Sequence, residues 1–111
     1  MEATERTLTT YTSPDGQVPL ESWLGDLKDN RNKARILNRI DRLRLGNFGD
    51  CKSVGGGVYE LRIHFGPGFR VYFGLEGKEL VILLCGGDKS TQKKDIAAAI
   101  EYWKEFKSHG N

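Results

Sequence analysis

The chain has 111 residues, 38% of them hydrophobic and 29% charged, with a net charge of +2. That length suits one domain, residues 1–111, with a core of its own. No apolar run approaches the roughly 18 residues of a membrane span, the N-terminus lacks the basic and apolar regions of a secretory signal, and Cys51 and Cys85 have no metal-ligand spacing. The expectation is a cytoplasmic protein with reduced thiols, no metal, no cofactor and no membrane contact.

Arg6–Thr12 is rich in β-branched and aromatic residues and reads as a first strand. Ser13-Pro14-Asp15-Gly16 is a turn signal. Val18–Lys28 follows as a short helix, with Pro19 in its first turn and Leu20, Trp23, Leu24 and Leu27 at helical spacing. Asp29-Asn30 breaks it and can cap a second helix, Arg31–Leu45, expected to turn Ala34, Leu37, Ile40 and Leu43 or Leu45 inward. Arg31, Arg35, Arg39 and Arg42 form a basic stripe along that helix. So short a link makes the two helices an antiparallel hairpin.

Asp50–Val54 reads as a second strand, and Gly55-Gly56-Gly57 as a turn. Val58–Phe73, VYELRIHFGPGFRVYF, then alternates strictly. Tyr59, Leu61, Ile63, Phe65, Phe69, Val71 and Phe73 fall on one face; Glu60, Arg62, His64, Arg70 and Tyr72 fall on the other, about the Gly66-Pro67-Gly68 turn. After Glu76-Gly77-Lys78, Glu79–Cys85 is almost wholly apolar and belongs near the sheet centre, buried on both faces. Ser90 or Thr91 can cap a last helix, Gln92–Lys107, with Ile96, Ile100, Trp103 and Phe106 inward. The result is an α+β fold: a small, mainly antiparallel sheet packed on an N-terminal helical hairpin, with a C-terminal helix. The arginine-bearing face is expected to stay open, at least in part.

Charge follows this order. Residues 1–30 carry a net −4, residues 31–73 a net +6, and residues 74–111 a net of zero. A local basic patch on a near-neutral chain fits nucleic acid or an acidic protein partner.

With these motifs in place, the chain resembles the RelE/ParE-like toxins of bacterial type II toxin–antitoxin modules. It is most similar to their phage-derived Gp49-like, or addiction-module killer, branch. The resemblance runs through YTSPDGQVPLESWL, ARILNRIDRLRLGNFGDCKSV, GGGVYELRIHFGPGFRVYF and LLCGGDKSTQKKDIAAAIEYWKEFK. It implies a toxin neutralised by a cognate antitoxin. It leaves two actions open: metal-independent cleavage of mRNA in the ribosomal A site, or non-catalytic poisoning of DNA gyrase. An inert member that only binds antitoxin is a third reading.

Ribosome-dependent cleavage turns the RNA 2′-hydroxyl on its own 3′ phosphate. That needs a base, cations for the phosphorane charge, and an acid for the departing oxygen. The resemblance implies Arg70, in FRVYF, as the charge-stabilising arginine. It implies Arg62 as a basic group on the preceding strand, and Lys89, in GGDKS, where relatives carry a second arginine. His64 and Glu60 flank Arg62 and are candidates for base or acid. Asp50 lies near a position where some relatives carry a carboxylate. Lys52, Tyr72, Arg39, Arg42 and Lys93 are candidate RNA contacts. Each has a plain alternative: a salt bridge for Glu60, a partnered polar histidine for His64, a solvated face for the arginine stripe. The chain also departs from the nuclease pattern. Val58 and Glu60 stand where RelE has paired lysines, and Lys93, Lys94 and Asp95 stand where it has a tyrosine.

Overall fold

The computed structural model describes residues 5–109. In chain order the elements are β1 (Thr7–Thr10), α1 (Pro19–Asp26), α2 (Asn30–Arg44), β2 (Cys51–Gly55), β3 (Val58–Ile63), β4 (Phe69–Glu76), β5 (Leu80–Gly87) and α3 (Gln92–Ser108), with a single 3₁₀ turn, Lys89–Thr91, leading into α3. The five strands form one sheet in the order β1-β5-β4-β3-β2. β1 runs parallel to β5 and every other neighbour pair is antiparallel. This is the expected α+β architecture.

Period-2 alternation splits the strand side chains between two cores. One holds Leu61, Ile63, Phe69, Val71, Phe73, Val81 and Leu83 under Leu20 of α1 and Ile36, Ile40 and Leu43 of α2. The other holds Val58, Tyr72, Ile82 and Leu84 under Ala99 and Trp103 of α3. The sheet is therefore sandwiched, which explains why β5 is buried along nearly its whole length. A bulge in the β4–β5 register leaves Leu84 without a partner between Leu83 and Cys85. It lets Leu84 and Cys85 join the α3-side core together.

One expectation is corrected here. The inward face of α2 is Ile36, Ile40 and Leu43. Ala34 is exposed, and Leu37 and Leu45 keep 48% and 46% of their surface in water. Spacings of four and three stay on one helical face, whereas successive threes drift off it. The polar hairpin face stays open in part, as expected. α3 covers one end, burying Glu60 and Tyr72 completely.

Caps follow local chemistry. The Asp29 carboxylate accepts from the Arg31 amide at 2.8 Å and starts α2. At the last helix, Asp88 accepts from the Ser90 amide at 2.8 Å, while the Thr91 hydroxyl is drawn to Asp95 and makes no cap bond. Two glycines make room for the tryptophans that dock the layers. A Cβ on Gly74 would stand 2.3 Å from the Trp103 ring, and one on Gly86 would stand 2.3 Å from Trp23, on the opposite face.

Candidate functional site

The β3–β4 register sets Arg62 directly opposite Arg70 and Glu60 opposite Tyr72. Two arginines face to face repel. Glu60 supplies the counter-charge: its Oε1 accepts from Arg62 Nε at 3.1 Å, and its Oε2 lies 3.5 Å from Arg70 Nε. The same Oε2 accepts from the Tyr72 hydroxyl at 3.0 Å and from Gln92 Nε2 at 2.8 Å. Arg70 Nε is at ion-pair distance yet makes no hydrogen bond. Its guanidinium is fixed instead through Nη1, which donates to the Gly68 carbonyl at 3.1 Å.

Burial works to raise the Glu60 pKa. The bonds from Gln92, Arg62 and Tyr72, with the charge of Arg70, outweigh it and hold the carboxyl below its ordinary range. Glu60 is thus an anion locked under the sheet surface. Tyr72 moves the other way: burial, then the Glu60 charge, keeps its phenol protonated. With neither side chain reaching solvent, Glu60 is not placed to exchange protons with a ligand, nor Tyr72 to touch one. Glu60 contacts both arginines, and Tyr72 bonds Glu60.

The open end of this face carries two adjoining concavities. The first, 540 Å³, is formed by Arg62, His64, Arg70, Lys89 and the 65–68 turn. Gly68 lets the turn take this shape: its φ of +80° suits glycine, while a Cβ there would meet Lys89 Cβ and Arg70 Nη1 only at ordinary contact, 3.4 and 3.6 Å. The second, 460 Å³, lies between α2 and β3 and is formed by Arg35, Asn38, Arg39, Arg42, Asn47, Gly49, Asp50 and the 62–65 segment. Arg62, His64 and Phe65 belong to both.

On the rim between them, His64 Nε2 is hydrogen-bonded to the Asp50 carboxylate, and both side chains are exposed. That bond, foremost, holds the Asp50 pKa below its usual range. Asp50 reaches His64 because β2 pairs antiparallel with β3 through the Gly55–Gly57 turn, with the Arg62 amide donating to the Asp50 carbonyl at 2.9 Å. Arg39 donates to the Phe48 carbonyl at 3.4 Å, and Arg35 lies over the Phe65 ring at 3.9 Å. Arg42 and Lys89 have no ion pair or side-chain hydrogen bond among the described residues.

Of the residues expected from sequence, Arg62, His64, Arg70 and Lys89 share one concavity, and Arg39 and Arg42 line the next. Lys52, on edge strand β2, and Lys93, in the first turn of α3, are exposed and line neither. Sequence reasoning missed Gln92 as the fourth partner of Glu60, and missed Arg35, Asn38 and Asn47 as one cluster. The His64–Asp50 pair was within reach of the hairpin register. Chemically, the site offers a cationic surface for phosphate oxygens and an exposed imidazole–carboxylate pair for proton transfer. Among the described residues, no three of His, Cys, Asp and Glu converge as a metal site would need. No helix there is long and apolar enough to cross a membrane.

Comparison with known proteins agrees with this region in extent. An uncharacterized protein of Haemophilus influenzae is 61% identical over 82 residues, covering 74% of this chain and 83% of that protein. Residues 22–104, from α1 through most of α3, match the family described as Phage derived protein Gp49-like (DUF891). Strands β2 to β5, helix α2 and the cationic face lie within that match, and the chain belongs to the phage-derived Gp49-like family, which is associated with the toxins of toxin–antitoxin modules.

Proposed function

We propose that the chain is the toxin of a type II toxin–antitoxin module and cuts mRNA in the ribosomal A site, held in check by a cognate antitoxin. The observation that carries this reading is the meeting of Arg62, Arg70, Lys89 and the His64–Asp50 pair around one concavity. In the proposed reaction, His64, oriented by Asp50, takes the proton of a ribose 2′-hydroxyl. The oxygen attacks the adjoining phosphorus while Arg62 and Arg70 hold its non-bridging oxygens. Lys89 gives a proton to the departing 5′ oxygen. The products are a 2′,3′-cyclic phosphate and a 5′-hydroxyl end, and no metal takes part.

One observation favours a second reading, a non-catalytic poison of the DNA gyrase type. Arg62 and Arg70 already have a buried counter-ion in Glu60, so the fold alone accounts for them. The two readings separate in cells. Wild type, His64→Ala and Lys89→Ala are expressed from a repressed promoter and mRNA 5′ ends are mapped. Both replaced side chains are exposed, so the fold is expected to survive. New ends within translated codons that vanish in the variants support the nuclease. Growth arrest without new ends, undiminished in both variants, refutes it and moves the target to gyrase or another protein.

A further inference from the structure

We infer that the concavity between α2 and β3 is a purine subsite, taking the base next to the scissile phosphate of single-stranded RNA. The inference rests on the nuclease reading and adds what that reading does not assign: how the chain recognises a base.

A track for phosphates alone needs only cations. This concavity holds more. Arg35 is stacked on Phe65 with its guanidinium 3.9 Å from the ring centroid, and Arg35 itself is exposed. A guanidinium plane backed by an aromatic ring is a platform on which an unstacked base can lie. Beside it stand two exposed amides, Asn38 on α2 and Asn47 in the loop that follows. Among the described residues, neither side chain bonds another protein group. An asparagine amide matches the N6/N7 edge of adenine, and an arginine fork matches the O6/N7 edge of guanine. Asn38, Asn47 and the unpaired Arg42 thus supply partners for the N7 edge of either purine, and the larger purine ring system covers more of the Arg35–Phe65 platform than a pyrimidine does.

Size and position agree. A volume of 460 Å³ lies within the range of small-ligand sites. The concavity shares Arg62, His64 and Phe65 with the one that holds Arg70 and Lys89. A strand with its phosphate at Arg62 and Arg70 therefore has the neighbouring base within reach of the Arg35–Phe65 stack.

The test uses the full chain and fluorescein-labelled RNA pentamers U-U-X-U-U, with X as A, G, C, U or an abasic spacer and 2′-deoxyribose at X and at the uridine before it, so that neither phosphate flanking X can be cleaved. Fluorescence anisotropy gives the Kd of each, for wild type and for the Asn38→Ala/Asn47→Ala double variant, with circular dichroism to verify folding. The expected result is about tenfold tighter binding of A or G than of C, U or the spacer, reduced to within about twofold in the double variant. A second variant, Arg35→Ala, is expected to weaken the base-bearing pentamers and leave the spacer unchanged. Equal binding of all five pentamers overturns the subsite, as does a purine preference that survives both sets of substitutions, or no binding of any pentamer. These results are independent of cleavage. New mRNA ends with base-blind binding leave the nuclease standing without the subsite; purine-selective binding without new ends does the reverse.

Discussion

Replacing Glu60 with Gln tests whether one buried carboxylate holds the arginine pair. Glu60 is fully buried, with hydrogen bonds from Gln92, Tyr72 and Arg62 and an ion-pair contact to Arg70. Breaking a buried pair by removing one partner costs about 3–5 kcal/mol. Glutamine keeps the shape and one acceptor oxygen, and Arg62 retains 28% of its side-chain exposure, which relieves part of the loss. A cost of about 2–3 kcal/mol is therefore expected, or a fall in Tm of about 8–12 °C for a domain of this length. The dependence on pH has a definite sign. The folded-state pKa of Glu60 lies below its unfolded value, so its stabilisation is full above about pH 4.3 and is lost as pH falls through the folded value. The Tm gap between wild type and Glu60→Gln, followed by circular dichroism, should be widest near neutrality and close in acid. A gap under about 2 °C at pH 7, or one that widens in acid, would refute the argument.

Other expectations follow from the same geometry. His64→Ala should raise the Asp50 pKa toward the ordinary carboxylate value, since the bond to His64 is the main cause of its depression; a carboxyl-carbon NMR titration reads this, and an unmoved Asp50 would sink the pairing. Gly74→Ala should cost about 1–3 kcal/mol in urea unfolding, because the new methyl meets the Trp103 ring; a midpoint equal to wild type would show that the indole moves away freely. Burial pushes the thiols of Cys51 up to about 11 and Cys85 up to about 12, so both should resist Ellman's reagent at pH 8 until the chain is unfolded; rapid labelling of the native protein would contradict that. Lys89→Ala should leave stability within about 0.5 kcal/mol of wild type, as befits an exposed side chain without partners.

The elements were legible where periodicity was unambiguous. VYELRIHFGPGFRVYF displays its own alternation, and its two faces are those of the structure. α2 was harder, because its apolar residues fit more than one stripe among the arginines, and Ile36 was passed over for Leu37. The polar face stays open in part, as expected, but which end is covered was not read. A wholly buried β5 requires cover on both sides of the sheet, and the apolar face of α3, with Ile96, Ile100 and Trp103, had no other place to go. Reading those two segments together implies that α3 lies over Glu60 and Tyr72. Arg62 and Arg70 were foreseen together because their meeting rests on strand pairing, whereas Lys89 was expected beside them from the family resemblance. The Glu60–Gln92 bond and the Arg35–Asn38–Asn47 cluster depend on how helices sit on the sheet, which spacing along the chain does not encode.

The chain's two indoles rest on glycines from opposite sides of the same sheet, Trp23 over Gly86 and Trp103 near Gly74. Each layer of the fold thus carries its own built-in optical probe. In Trp23→Phe the remaining emission reports whether α3 is seated; in Trp103→Phe it reports on α1. A ligand or protein partner that lifts one layer and spares the other would be seen in one variant's spectrum alone, without any added label.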